Sequence, residues 1–464
     1  MCIRDSTRPE QILTSLPQAI NVMLDPADCG PAVISMSQDV QGEAYDYPEI
    51  FFEEKIHEIR RIHPDPNQIQ KAADKLKQSK QPIIISGGGV LYSEAEEEIS
   101  AFAKKHNIPV TATVMGIGCM NKDDPYYISA IGCLGEGSSN NLATDTDLAL
   151  AVGTKLGDFT TGSWTNFENE NFQLVSINTS RFDTTKHRAT PVVSDAKIGL
   201  QELSKALGEW KAPDNWYQRS IEERNKWDEY VAKESGPTNQ ELPSYAHAVG
   251  AVYRNSDPSD IVVTAAGGLV GEVVQIWKPK ELNTFETEWG FSCMSYEISG
   301  ALGIKMAKPE QDVIVFVGDG SYLLQNSDIY SSVLYDKKLI IVVCDNGGHM
   351  VINRLQLAKG GNEYLCNLNA ARATNVQFVD FEAHAKSMGA NGETVKSIAE
   401  LEAAFKRAKE SDKTYVISMK TDGYEWLEGT AFWESPTLEV DNTEGKKSAL
   451  NEFLEGKNKQ RKGV

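Results

Sequence analysis

Cysteine is sparse in this chain: seven in 464 residues, scattered, with no two in Cys-x-x-Cys spacing. That excludes a disulfide frame of the kind that staples small secreted domains, and fits reduced thiols. Long apolar runs are missing as well. No stretch approaches the roughly 20 residues of a membrane-spanning helix, and the opening lacks a signal-peptide pattern. Positive charge is short: 46 Lys and Arg against 66 Asp and Glu leave a formal charge of -20. Such a balance argues against nucleic acid or an anionic membrane surface as a partner. An anionic ligand would need local help, from a metal or from backbone N–H groups. Together these absences lead to the expectation of a soluble, cytoplasmic protein.

What is present is ordinary in bulk and informative in order. Hydrophobic residues make up 41% and charged residues 24%, as in globular proteins generally. A chain of 464 residues is long for one core and implies two or three domains. "MCIRDS" has neither an apolar stretch nor the shape of a first strand, and reads as a sequencing artefact ahead of the domain. A helical pattern over "TRPEQILTSLPQAINVMLDP" and one strand over 31–36 follow. One helix and one strand cannot close a core, so residues 1–50 read as the remnant of a domain.

A second unit, 65–206, alternates helix and strand: "IQKAADKLKQS", "PIIIS", "EAEEEISAFAKKHN", "IPVTATV", "DLALAVG", "FQLVSIN". Alternation of this kind implies βαβ units and a parallel, doubly wound sheet. Gly87, Gly88 and Gly89 lack the spacing of a dinucleotide fingerprint and its helix start, and read as a plain strand-to-helix turn. Residues 207–243, with Trp210, Trp216 and Trp227 among many charges, read as a helical connector. The third unit, 244–436, repeats the α/β alternation, and 437–464 form a tail.

In the third unit the run "VIVFVGDGSY" stops a β-branched strand on Gly-Asp-Gly. Alone, that is a surface turn or a carboxylate held at a strand tip. A second strand, "LIIVVCDNGG", ends on Asp-Asn, with 24 residues (321–344) between "GDG" and "DN". That spacing holds a crossover helix of about three to four turns. A βαβ crossover puts both carboxyl ends on one sheet edge, about 5 Å apart if the strands are neighbours. Asp319, Asn346 and a nearby carbonyl then form an oxygen-only ligand set suited to Mg²⁺. The N–H groups of Gly320 and Ser321 open a helix, where a diphosphate is favoured.

The paired motif resembles that of the thiamine diphosphate-dependent superfamily, which includes acetohydroxyacid synthases. The resemblance implies a thiamine diphosphate-binding fold in three parts: a pyrimidine-binding domain, present only as its end, a Rossmann-like central domain, and a diphosphate-binding domain. It implies that Asp319, Asn346 and the carbonyl of Gly348 hold Mg²⁺, and that Gly318, Gly320, Ser321 and His349 lie against the cofactor. Gly268, Leu269, Ser292 and Met294 would add contacts. Met294, 25 residues before Asp319, matches the bulky residue that props the cofactor into its bent shape; core filler is the plainer alternative.

"SQDVQGEAYDYP", "AAGGLVGEVVQIW", "GFSCMSYEISGALGIKMA", "GDGSYLLQNSDIYSSV" and "INRLQ" further resemble the cyclic-dione hydrolases of myo-inositol breakdown. The likeness runs from about Thr7 onward, with His349 and Met350 departing from the pattern. It implies hydrolytic ring opening of a cyclic polyhydroxy dione, with His349, Asn353, Arg354 and Gln356 as donors to it, or alternatively an ordinary helix start. A homodimer or homotetramer is implied too. The superfamily's catalytic glutamate lies early in the pyrimidine-binding domain and has no counterpart here, so this chain alone is expected to be inactive. Other readings are an acetohydroxyacid synthase or 2-oxoacid decarboxylase, some of which bind flavin, and a non-catalytic binding or assembly module.

Overall fold

The computed structural model describes residues 2–440 and 443–461. Strand β1 (Cys2–Ser6) pairs in parallel with β2 (Ala32–Met36), Cys2 opposite Ala32 and Ser6 opposite Met36. The helix Ile12–Leu24 crosses between them. This corrects the expectation that the opening residues lack a strand, although Met1 lies outside the described residues. The pairing comes from a partner some 30 residues on, which the opening itself gives no sign of.

Two six-stranded sheets follow among the described residues, and every pairing in them is parallel. The central sheet contains β3 (Pro82–Ser86), β4 (Val110–Ala112), β5 (Tyr127–Ala130), β6 (Leu148–Val152), β7 (Gln173–Asn178) and β8 (Thr190–Val193), in the order β5-β4-β3-β6-β7-β8. The C-terminal sheet contains β9 (Ile261–Thr264), β10 (Phe285–Thr287), β11 (Val313–Gly318), β12 (Ile340–Asp345), β13 (Asn391–Val395) and β14 (Tyr415–Lys420). Its order is β10-β9-β11-β12-β14-β13. Both are doubly wound, as the alternation implied. Their inner strands are largely apolar on both faces because both faces are covered. Along β11, Val313, Val315 and Val317 enter one core cluster while Ile314 and Phe316 enter the other. The second of these clusters continues through Ile84, Val110 and Leu150 of the central sheet, so the two domains share a core.

The three consecutive glycines do form a strand-to-helix turn, but the helix Gly88–Tyr92 begins within it, contrary to the reading that no helix starts there. A Cβ on Gly87 would lie 2.4 Å from the Gly153 carbonyl oxygen, and one on Gly89 2.6 Å from Gly153 Cα. Backbone packs on backbone here, which explains the glycines. The connector is the helix Asp214–Glu234; it buries Trp216, whose indole N–H donates to the Pro82 carbonyl at 2.8 Å. Between the domains Glu136 is buried 3.7 Å from Lys278, and burial holds its carboxyl up at about 8. Cysteines whose side chains are described are free thiols.

The chain's last helix, Glu444–Lys459, lies across both domains. Gly445 packs on Gly360, just after the helix Met350–Ala358, and Lys359 lies over the Phe453 ring. Beyond the helix, the Arg461 N–H donates to Trp164, and its guanidinium donates to the carbonyls of Asn169 and Phe172 in the central domain. No helix among the described residues is long and apolar enough to cross a membrane.

Candidate functional site

Strands β11 and β12 are neighbours, with Gly318 opposite Cys344, so Asp319 and Asn346 leave the same sheet edge. That edge adjoins β9, where the strand order reverses, and doubly wound sheets take ligands at such a point. The crossover is not one helix of three to four turns. It is two, Asp319–Leu324 and Ser327–Leu334, parted where Gln325 turns extended. Tyr322, fully buried and hydrogen-bonded to His384, ties down the first piece, and Asn326 donates to its carbonyl.

Asp319 is 7% exposed. Burial, and after it the nearby Asp345, pushes its carboxyl up to about 7, against the opposing N–H groups of Gly320 and Gly348. Asp345 itself is paired with Lys420. Two side-chain oxygens at these strand tips, Asp319 Oδ1 and Asn346 Oδ1, are buried with no hydrogen-bond partner. Leaving such atoms unpaired costs about 1–3 kcal/mol each, and a hard cation would satisfy both. Among the described residues no cluster of three His, Cys, Asp or Glu side chains could hold a metal. One carboxylate with an amide and a carbonyl is a different donor set, and it fits Mg²⁺.

The loop after β12 is built by its glycines. Gly347 and Gly348 have φ of +79° and +145°. Gly348 forms an antiparallel bridge with Asn367, made by the His349 N–H donating to Cys366 and the Leu368 N–H donating to Gly347. The Gly348 carbonyl takes no part in those two bonds. Gly320 has the His349 ring against it: a Cβ there would meet the ring at 2.7 Å. The hydroxyl of Ser321 is not free for a diphosphate, because it donates to Glu297 at 3.0 Å and accepts from the Ser295 N–H at 2.7 Å. Its backbone remains at the strand tip.

Gly268 caps the helix Leu269–Ile276, and a Cβ on it would strike the Trp426 ring at 2.1 Å. Leu269 is core. Ser292, at φ +53°, donates to the Ala265 carbonyl at 3.3 Å, which holds the Met294 loop beside β9. Met294 is 37% exposed, at the rim of the sheet edge rather than in the core. The substrate candidates divide. His349 and Arg354 are exposed, and the Arg354 guanidinium carbon lies over the Trp426 ring, 4.9 Å from its centroid. Asn353 is fully buried; it donates to Glu363 at 2.8 Å and accepts from Asn367. Gln356 pairs in both directions with the Tyr364 backbone. These two brace the loop over 360–368, correcting their expected role as donors to a substrate.

Residues 69–203 match the thiamine pyrophosphate enzyme central domain, and residues 265–419 match the thiamine pyrophosphate enzyme C-terminal TPP binding domain. The chain belongs to the thiamine pyrophosphate enzyme family. Among its relatives, a 3D-(3,5/4)-trihydroxycyclohexane-1,2-dione hydrolase of Halalkalibacterium halodurans is 36% identical over 95% of this chain and 73% of its own length. Proteins of the same name from Shouchella clausii and Bacillus subtilis are 36% and 34% identical, over 92% and 96% of this chain and 71% and 73% of their own lengths. Membership in the thiamine pyrophosphate family makes this chain an enzyme and thiamine diphosphate its cofactor. The expected inactivity of the chain alone is not borne out by these relatives.

Several site residues escaped the motif. Tyr245, Glu272, Glu297 and Trp426 line or brace the strand tips from other elements. Glu272 is buried beside Arg354 and accepts from the Leu427 N–H at 3.1 Å; burial pushes its carboxyl up to about 7. Nothing local in the sequence marks these four: the Ser321, Asn346 and Leu427 partners of Glu297, Tyr245 and Glu272 lie 24 to 155 residues away, and Trp426 meets Tyr245 across 181.

Proposed function

We propose that this enzyme opens the ring of 3D-(3,5/4)-trihydroxycyclohexane-1,2-dione by hydrolysing a carbon–carbon bond, yielding 5-deoxy-glucuronate. The observation that carries the proposal is the pair of buried, unpartnered oxygens, Asp319 Oδ1 and Asn346 Oδ1, in a chain about a third identical to hydrolases of that name. Mg²⁺ would be held by Asp319, Asn346 and the Gly348 carbonyl, in the cytoplasm and within a homodimer or homotetramer. Thiamine diphosphate, when bound, supplies the carbon nucleophile and electron sink for cleavage beside a carbonyl.

The chain's own residues position and recognise. The backbone from Gly318 to Ser321 would hold the diphosphate, with His349 packed on Gly320. Gly268 and the Ser292–Met294 loop would support the rings, Met294 from an exposed position. Arg354, lying over the Trp426 ring, offers its donors to the hydroxyl groups of the substrate, and His349 offers a second polar edge.

The test incubates the chain with Mg²⁺, thiamine diphosphate and the cyclic dione, with pyruvate and 2-oxobutanoate in parallel. Loss of the dione with formation of one equivalent of acid is expected. Acetolactate formation or decarboxylation, with the dione untouched, would assign the synthase or decarboxylase chemistry instead.

A further inference from the structure

Asn346 is an unsymmetrical ligand. Only the oxygen end of a carboxamide can hold a hard cation; the other end carries two N–H donors. Something must choose which end faces the strand-tip site. Asn346 Nδ2 donates to the hydroxyl of Tyr245 at 2.6 Å, across 101 residues of sequence. Tyr245 opens the helix Tyr245–Asn255 and is buried. Its ring is fixed edge-on against Trp426, centroids 5.6 Å apart and planes at 90°. The hydroxyl also sits beside the turn that carries Asp319, 3.9 Å from where a Cβ on Gly318 would be. With the nitrogen so engaged, Asn346 Oδ1 is left buried and unpartnered, as is Asp319 Oδ1.

We propose that Tyr245 is a positioning residue for the metal site: its hydroxyl takes the amide nitrogen of Asn346 and so presents Oδ1 to the cation. The proposal rests on the metal reading above. A merely structural tyrosine would contribute its ring to the core, and loss of its hydroxyl would leave metal affinity alone. A positioning tyrosine matters only while residue 346 has two unlike ends.

Mg²⁺ is titrated by calorimetry into the full chain at a fixed excess of thiamine diphosphate, for wild type, Tyr245→Phe, Asn346→Asp and the double variant. Phe keeps the ring contact with Trp426, so metal-free melting should stay near wild type. Tyr245→Phe should weaken Mg²⁺ binding about tenfold. Asp presents two equivalent oxygens, so Tyr245→Phe in that background should change affinity by less than about threefold, a coupling the double-mutant cycle reads directly. Wild-type affinity in Tyr245→Phe, or an equal loss in both backgrounds, would overturn the proposal. If wild type itself takes up no Mg²⁺ with the cofactor, the metal reading fails, and the inference falls with it.

Discussion

Gly347 and Gly348 stand side by side in the metal loop, both at positive φ, yet alanine should affect them very differently. At Gly347 a Cβ would meet no atom within 4 Å, so the cost is the left-handed backbone alone, about 1–2 kcal/mol. At Gly348 the Cβ would lie 2.5 Å from the Cys366 carbonyl oxygen and 2.8 Å from Asn367 Cα. Both are backbone atoms and cannot swing aside. Relief requires opening the bridge to Asn367, with loss of the 2.7 Å bond from His349 and the 2.8 Å bond from Leu368. At about 0.5–1.5 kcal/mol per bond and about 1–3 kcal/mol of strain, the total is about 2–6 kcal/mol. Melting as one unit of 464 residues, at about 2.1 cal/mol/K per residue, the protein should lose about 1 °C per kcal/mol. Gly347→Ala should therefore lose about 1–2 °C and keep its Mg²⁺ affinity within about threefold. Gly348→Ala should lose more and bind Mg²⁺ at least tenfold more weakly, because the carbonyl proposed as a ligand moves with the bridge. Equal melting losses, or unchanged affinity in Gly348→Ala, would refute the reasoning.

Asp319→Ala should abolish Mg²⁺-dependent cofactor binding, since it removes the charged ligand; wild-type affinity by calorimetry would sink that assignment. Met294→Ala should lower turnover more than diphosphate affinity, and a variant that is less stable but turns over normally would return Met294 to a packing role. Glu136 is a pH probe of the domain junction. Its folded-state pKa of about 8 lies above the ordinary 4.5, so between those values the folded chain keeps a proton that the unfolded chain has lost. Stability should fall as pH rises through that window. Glu136→Gln should flatten the fall in melting temperature between pH 5 and 9, and parallel curves for the two proteins would exclude the assignment.

Much of the fold was legible because parallel strands covered on both faces are short, nearly unbroken apolar runs, and Ile314 to Val317 could hardly be anything else. The placement of Asp319 and Asn346 on one sheet edge was legible for the same reason: they sit at the tips of two such runs, one crossover apart. What surrounds them was not. Tyr245 and Trp426 reach the site from opposite ends of the third unit, and only the folded sheet brings them together. Asn353 and Gln356 follow the loop in a helical pattern that says nothing of which side faces the 360–368 loop. No proline or glycine interrupts 321–334, so the sequence there reads as one helix; burial of Tyr322 and the extended turn at Gln325 divide it instead.

The last helix and Arg461 carry a consequence for how the molecule melts. One end of this strap rests on the segment just after the metal loop, and the other is bonded to three carbonyls of the central domain. The metal loop therefore cannot loosen without slackening a fastening that the central domain shares. Stabilisation conferred at the strand tips by a bound ligand then reaches the central domain through the strap. Heat should then find one cooperative unit where the connectivity shows two.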